Sequence, residues 1–160
     1  MKKLIELDHE LTEAIRLTPE KKFWFKFASI IAHTGDSWYW LAGLLVVWLW
    51  GIFTNNDQWH YIAGVLAFSL LVEAAFVLGL KFLIKRRRPD GEWGEIYRST
   101  DPHSFPSGHS ARAILIAVMG WVIGPPWFGI ILVIWAPFAC LGRIVMGVHY
   151  LSDVLAGAVI

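Results

Sequence analysis

Lys81, Arg88, His109, Arg143, His149 and Asp153 stand in the second half of an otherwise apolar chain, and their types and spacing could do chemistry together. Ionisable groups within or beside membrane segments are costly, so a set of six marks a site. Lys81, Arg88 and Arg143 are cations that require an anion, and the planar fork of Arg suits the oxygens of a phosphate. Ser107-Gly108 stands where a helix begins. Free N–H groups at a helix N-terminus bind phosphate, and glycine permits close approach. His149 and Asp153 are spaced i, i+4, on one face of a helix. The carboxylate would hold the imidazole Nδ1–H and leave Nε2 free to attack, the logic of a catalytic triad applied to a histidine nucleophile. His109, at the start of another helix, would protonate the leaving oxygen. With three cations on the phosphoryl charge, this chemistry calls for no metal and no cofactor.

The elements that must position these groups are apolar helices. Hydrophobic residues make up 56% of the 160 residues, above the ~45–50% of an ordinary soluble domain. Ten Trp residues fit the interfacial belts of a membrane protein. The net charge of +1 gives no electrostatic case for nucleic acid. The single cysteine, Cys140, excludes an internal disulfide and a cysteine zinc site, and reads as buried packing. The expected fold class is an all-α integral membrane bundle of about six helices. It comprises an amphipathic N-terminal helix and five to six membrane segments in one domain over 1–160.

Leu4, Ile5, Leu7, Leu11, Ala14, Ile15 and Leu17 recur at helical spacing among Lys2, Lys3, Glu6, Glu10, Glu13 and Arg16. That pattern predicts an amphipathic helix at the membrane surface, and no cleavable signal peptide precedes it. Thr18-Pro19 reads as the start of the next helix, with Thr18 as N-cap. Segment 21–33 is apolar but short for a crossing, and Thr34-Gly35-Asp36 breaks it. Segments 37–53 and 59–80 approach the ~20 residues of a spanning helix. The stretch 81–105 is polar and charged, 111–123 is apolar again, and Gly124-Pro125-Pro126 breaks the chain. An apolar segment at 127–141, a turn at 142–148 and a last segment opened by His149 follow. At ~1.5 Å per residue that last segment is too short to span and reads as cut short.

Crossings then bring three polar clusters to one face, the active face. The helix ending near Lys81 delivers Lys81 and Arg88, the helix from Ser107 leaves that face, and the next returns Arg143 to it, where His149 begins the last helix. Lys85, Arg86, Arg87, Arg88, Arg98 and Arg143 lie near that face. Lys2, Lys3, Arg16, Lys21 and Lys22, placed on the opposite face, nearly balance them. On that count the positive-inside rule does not decide the orientation.

These residues resemble the three signature motifs of the type-2 phosphatidic acid phosphatase family: Lys81 through Arg88-Pro89, Pro106-Ser107-Gly108-His109, and Arg143 through His149 to Asp153. The resemblance spans 81–153, about half of the chain, and three ordered motifs at the right spacing are far more specific than one. It implies a six-helix membrane fold and a metal-independent phosphatase. Lys81, Arg88, Ser107, Gly108 and Arg143 would bind the phosphate of a membrane lipid. His149 would attack, Asp153 would orient it, and His109 would protonate the leaving group and then activate water. Bacterial relatives act on undecaprenyl pyrophosphate, phosphatidylglycerol phosphate, lipid A or diacylglycerol pyrophosphate, with sites facing the periplasm or exterior. One departure is Gly142, where the family usually has Ser; its loss would remove one phosphate hydrogen bond.

Other polar residues read more plainly. Arg86 and Arg87 belong to a solvated or headgroup-facing run. Arg112 could reach a second phosphate or pair with an acid, Glu73 suggests an internal polar contact, and His103 is incidental. His9, His33 and His60 read as interfacial, while Tyr97 and Arg98 could shape lipid entry. Three rival functions use the same residues: a vanadate haloperoxidase, a lipid-headgroup binding or transport module, and a phosphotransferase. Five or six apolar helices argue against the first, and both histidines with Asp153 argue against the second. The exact lipid and the oligomeric state are left open.

Overall fold

The computed structural model describes residues 2–91 and 93–160; Met1, Glu92 and the side chain of Lys2, the last named above on the polar face, lie outside the described residues. Eight helices follow one another: α1 (Lys2–Ile15), α2 (Lys22–His33), α3 (Ser37–Thr54), α4 (Asp57–Ile84), α5 (Glu95–Thr100), α6 (Gly108–Ile123), α7 (Pro126–Val145) and α8 (Leu151–Val159). The expected all-helical class holds, with two more helices than the six anticipated.

Among the described residues, α3, α4 and α7 are long and apolar enough to cross a membrane. The 16 residues of α6 rise about 24 Å, short of a ~30 Å hydrocarbon core. The 28 residues of α4 rise about 42 Å, longer than a ~30 Å hydrocarbon core, and Lys81 stands in its last turn. Outward faces of α3, α4 and α7 expose large apolar side chains such as Phe53, Phe68 and Ile134, as lipid contact requires. The core is built of Ile62, Leu66, Ile116, Leu132, Ala136 and Val154 with their neighbours, small residues letting backbones approach.

Three local expectations change. Thr18 does not cap a helix; its carbonyl accepts from Lys21 N–H in a turn (3.1 Å), and α2 begins at Lys22. Helix α7 continues one turn past 141, so Gly142 and Arg143 are helical. The polar stretch 81–105 holds the short helix α5.

The largest change concerns α1 and α2, expected on the face opposite the site. Asp8 of α1 accepts from Ser152 N–H (2.9 Å) and from Arg86 (2.6 Å). Thr12 accepts from Leu151 N–H (3.1 Å), and Leu17 N–H donates to the Val145 carbonyl (2.8 Å). At the far end of α2, Arg143 donates to the Ala32 carbonyl (3.3 Å). Leu17, ahead of α2, and Ala32, near its end, thus meet the same end of α7, and α1 and α2 lie on the active face. Amphipathic spacing reports that a helix lies on a surface, not which surface.

Candidate active site

Each site residue comes from the end of a helix on one face. Lys81 ends α4, Gly108 and His109 open α6, Arg143 stands in the last turn of α7, and Asp153 is in the first turn of α8. Arg88 and His149 belong to the connecting loops. The predicted cluster is therefore brought together, and Lys81, Arg88, Arg143, His149 and Asp153 are all buried.

His149 precedes α8 rather than opening it, and Tyr150 is the N-cap. Its Nδ1 lies 3.6 Å from Asp153 Oδ2, beyond hydrogen-bond reach, and has no hydrogen-bond partner among the described residues, so the expected hold of Asp153 on Nδ1–H is not made here. That carboxylate accepts the Tyr150 N–H at 2.9 Å, as half of a capping box. Nor is Nε2 free as expected, because Arg88 Nη1 stands 2.9 Å from it. An Arg N–H can only donate, so Nε2 is the bare nitrogen and the proton resides on Nδ1, toward Asp153. Burial first, then the charges of Arg88, Arg143 and Lys81, hold the His149 imidazole well below its ordinary pKa. It is neutral, and hence nucleophilic, near pH 7.

Arg88 is held by the Asp101 carbonyl (2.7 Å), by Asp101 Oδ2 (2.8 Å) and by the Val148 carbonyl (2.9 Å). Lys81 pairs with the same Asp101 oxygen. A single carboxylate thus bridges two of the three predicted phosphate cations. Arg143 is fully buried, with its guanidinium 4.4 Å above the Tyr97 ring. Its Nε and Nη2 have no hydrogen-bond partner among the described residues. Orphaned donors on a buried cation are expensive, and this one fits an anion.

Ser107 has a structural role that the sequence reading did not name. Its N–H donates to the Asp153 carbonyl (2.9 Å), and its hydroxyl caps α6, accepting from Ser110 N–H (3.4 Å) and the Ser110 hydroxyl (3.0 Å). The open end of α6 is therefore the N–H groups of Gly108 and His109, which have no acceptor inside the helix. A Cβ on Gly157 would stand 2.3 Å from the Ser107 carbonyl, so only glycine lets α8 pack this close. Gly142 is a milder case: a Cβ there would lie 3.1 Å from the Ala32 Cα, so α2 would have to give by a few tenths of an ångström. The residue that departs from the family motif lets α2 lie in closer contact with α7.

Asp36 was read only as part of a helix break. Its Oδ1 lies 2.6 Å from His109 Nε2, its Oδ2 lies 3.0 Å from His33 Nδ1, and the Tyr97 hydroxyl donates to Oδ1 at 2.9 Å. Burial would raise the Asp36 pKa, but the hydrogen bonds from His109, His33 and Tyr97 outweigh it and hold the carboxyl well below its usual range. The turn bearing Asp36 is pinned by Arg112 to the Gly35 carbonyl (2.8 Å), Trp40 to the Thr34 carbonyl (2.8 Å) and Trp135 to the Thr34 hydroxyl (2.8 Å). Two signals in the chain point to Asp36. The crossing count puts position 36 on the active face, and an acid at a helix start normally caps it, whereas Asp36 makes no side-chain cap.

The remaining residues sort plainly. Arg86 joins Asp153 Oδ1 (2.8 Å), Ser152 (2.6 Å) and Asp8 (2.6 Å). Arg112 faces Glu73 at 3.9 Å inside the bundle. Arg98 ties the loop carbonyls of Pro89 and Trp93, and His103 packs edge-on to Phe82. A cavity of about 1180 Å³ opens beside His109 and Lys81. Asp36, Tyr97, Asp101 and Arg112 line it with the apolar Ile30, Val77, Leu78 and Ile96. Polar and apolar side chains share its lining.

Fold and site together define a helical membrane protein with a buried cluster of cations beside two histidine–carboxylate pairs. The PAP2 superfamily model matches residues 62–160, and the chain belongs to that family. It is 36% identical over 129 residues to the decaprenylphosphoryl-5-phosphoribose phosphatase of Mycobacterium tuberculosis, covering 79% of this chain and 68% of that protein. It is 32% identical over 97 residues to the lipid A 1-phosphatase of Porphyromonas gingivalis, covering 59% of this chain and only 20% of that protein. The crystal structure of the transmembrane PAP2 type phosphatidylglycerolphosphate phosphatase from Bacillus subtilis shares the fold, with a TM-score of 0.78 at 23% identity over 99% of this chain and 80% of that one.

Proposed function

We propose that the chain is a lipid phosphatase that hydrolyses a phosphomonoester or diphosphate on a membrane lipid through a phosphohistidine at His149. The observation that carries this reading is the buried, half-unpaired guanidinium of Arg143, set in the same buried cluster as Lys81, Arg88 and the neutral imidazole of His149.

Incoming phosphate competes with Asp101 for Lys81 and Arg88, and with His149 for Arg88. Its oxygens take the donors of Lys81, Arg88 and Arg143 and the N–H groups of Gly108 and His109, which freezes the charge that grows in transfer. Freed of Arg88, Nε2 of His149 attacks phosphorus, and the bond to the lipid oxygen breaks. Asp153 stabilises the proton on Nδ1 as the ring gains charge. His109 gives a proton to the leaving oxygen and becomes neutral. In the second half, water yields a proton to His109, its oxygen attacks phosphorus, the N–P bond breaks and inorganic phosphate leaves.

Asp36 acts through His109 as a positioning residue. Burial and the charge of Arg143 work against the imidazolium that the first half requires; the Asp36 carboxylate on Nε2 opposes them, while Nδ1 of His109 bonds no described residue and is the nitrogen left for the leaving oxygen. The cavity's apolar walls suit a polyprenyl or acyl chain, and undecaprenyl pyrophosphate and phosphatidylglycerol phosphate are the substrates to try.

Phosphate release in detergent containing EDTA tests the reading with these two lipids and phosphatidic acid. The wild type is expected to turn over at least one of them, and His149→Ala to fall by about 10⁴-fold or more. A fully active His149→Ala, or activity abolished by EDTA and restored by a divalent ion, would overturn it.

A further inference from the structure

The start of α8 carries the nucleophilic pair, with His149 just ahead of the helix and Asp153 in its first turn. The first N–H groups of a helix have no partner inside it, and Ser, Thr, Asp and Asn are the residues that cap them best. At this position α8 has Tyr150. Its free N–H groups find their acceptors in α1 instead: Leu151 N–H donates to Thr12 Oγ1 (3.1 Å) and Ser152 N–H to Asp8 Oδ1 (2.9 Å). The Thr12 hydroxyl gives its proton to the Asp8 carbonyl (2.6 Å), which leaves its lone pairs for Leu151. Thr12 is fully buried and the Asp8 side chain is 12% exposed. Along α1 the two stand between the exposed apolar stripe of Leu4, Leu7 and Leu11 and the charged Glu6, Glu10 and Glu13. The cap of α8 therefore comes from residues 139 and 144 positions away.

Asp8 reaches the nucleophile by a second route. Its Oδ2 accepts from Arg86 Nη2 (2.6 Å) and from the Ser152 hydroxyl (2.6 Å). Arg86 Nη1 donates to Asp153 Oδ1 (2.8 Å), and its guanidinium lies 4.1 Å over the Tyr150 ring. The Arg86 backbone is fixed as well, its carbonyl accepting from Ser104 N–H (2.8 Å). A fully buried carboxylate such as Asp153 is costly without a countercharge. Among the described residues, Arg86 is the only Lys or Arg hydrogen-bonded to it. Arg86 on Oδ1 and the Tyr150 N–H on Oδ2 fix the carboxylate plane, so that Oδ2 faces His149 Nδ1 at 3.6 Å. With no hydrogen bond across that gap, the aim of the oxygen depends on these other contacts. The lining of the cavity includes Lys81 and Arg112 but not Arg86, which sets Arg86 apart from the phosphate cations.

We propose that Asp8 and Arg86 are positioning residues of the nucleophile: α1 caps α8 from outside, Asp8 sets Arg86, and Arg86 aims Asp153 at Nδ1 of His149. The catalytic half rests on the phosphohistidine reading; the cap rests on geometry alone. A basic run that reads as solvated holds one member with a buried task, and the amphipathic N-terminal helix has a sector that serves the site.

Two measurements on the full chain in detergent test the two halves. Amide hydrogen exchange over 149–160 reads the cap without any assay of activity. Asp8→Ala with Thr12→Val is expected to speed exchange in the first turn of α8 several-fold, as loss of a cap should, while α4 and α7 stay as protected as in the wild type. Unchanged exchange at α8 would overturn the cap. The catalytic half is read with an aryl phosphate. Asp8→Asn keeps an oxygen for the Ser152 N–H and loses the charge that holds Arg86. It and Arg86→Gln are each expected to lower kcat about 10- to 100-fold, the worth of a hydrogen bond to a charged group, with KM little changed and Arg86→Lys recovering part of the loss. In an Asp153→Asn background neither should cost anything further, because all three act in one chain. Losses that multiply in that background, or a raised KM at full kcat, would overturn the positioning role. If the wild type turns over no substrate while the exchange pattern holds, the phosphatase reading falls with the catalytic half and the cap stands.

Discussion

The two histidine–carboxylate pairs are built from the same groups and differ in everything else. His149 and Asp153 are four residues apart, 1% and 0% exposed, and separated by 3.6 Å. His109 and Asp36 are 73 residues apart, 15% and 12% exposed at the cavity edge, and separated by 2.6 Å. The first pair is locked from behind: Arg86 grips Asp153 and is itself gripped by Asp8. The second is fed from the side by Tyr97 and His33. A nucleophile must be held still, dry and unprotonated at its attacking atom. A proton carrier must alternate between charge states and reach leaving oxygen and water in turn. Depth and rigidity against access and a strong hydrogen bond divide the pairs along those two demands.

Asp153→Asn should give the largest separation. An amide cannot stabilise the developing charge on His149 in the same way, so phosphoenzyme formation should slow by roughly 10³-fold for every substrate, whatever its leaving group. Stopped-flow product release with a lipid phosphate and an aryl phosphate checks this; unchanged rates would remove Asp153 from the mechanism.

Asp36→Asn should behave differently. A general acid contributes about 10²–10⁴-fold, and loosening rather than deleting it should cost ~10- to 100-fold with an alkyl phosphate and little with an aryl phosphate, whose leaving group needs no proton. Removing the carboxylate also disfavours imidazolium, so the alkaline limb of kcat/KM should move to lower pH. His33, Tyr97, Arg112 and Arg143, the other groups around it, are unchanged in the variant. An equal loss for both substrates would reduce Asp36 to a structural role, and Asp36→Glu should restore part of the difference.

The smallest expected effect belongs to Asp101. If it stands in for phosphate between Lys81 and Arg88, Asp101→Asn frees both cations, and inhibition by inorganic phosphate should tighten a few-fold, as much as one lost charge-assisted bond at a half-exposed carboxylate allows. Weaker inhibition would mean that Asp101 shapes the site rather than guarding it.

How much of this was legible in the chain follows from the range of each contact. The meeting of Lys81, Arg88, His109, Arg143 and His149 followed from counting apolar segments, because a crossing converts sequence order into sidedness. Asp36 was passed over as a break and Tyr97 was read only as a residue that could shape lipid entry, since a partner 61 or 73 positions away leaves no periodic trace. Ser107 was read only as a phosphate ligand; that it also caps α6 was not separable, because an N-cap and an anion cradle present the same residue types. Gly142 looked like a lost hydroxyl, and only the proximity of α2 shows why a side chain is absent.

The account's central claim is tested most directly by trapping the intermediate. His109→Ala lacks the group that activates water but keeps the nucleophile, so with a labelled aryl phosphate it should accumulate an acid-labile, alkali-stable phosphoryl group on His149. The same label should be absent when His149→Ala is added. A label on any other residue, or steady turnover with no labelled protein in either variant, would contradict the phosphohistidine mechanism.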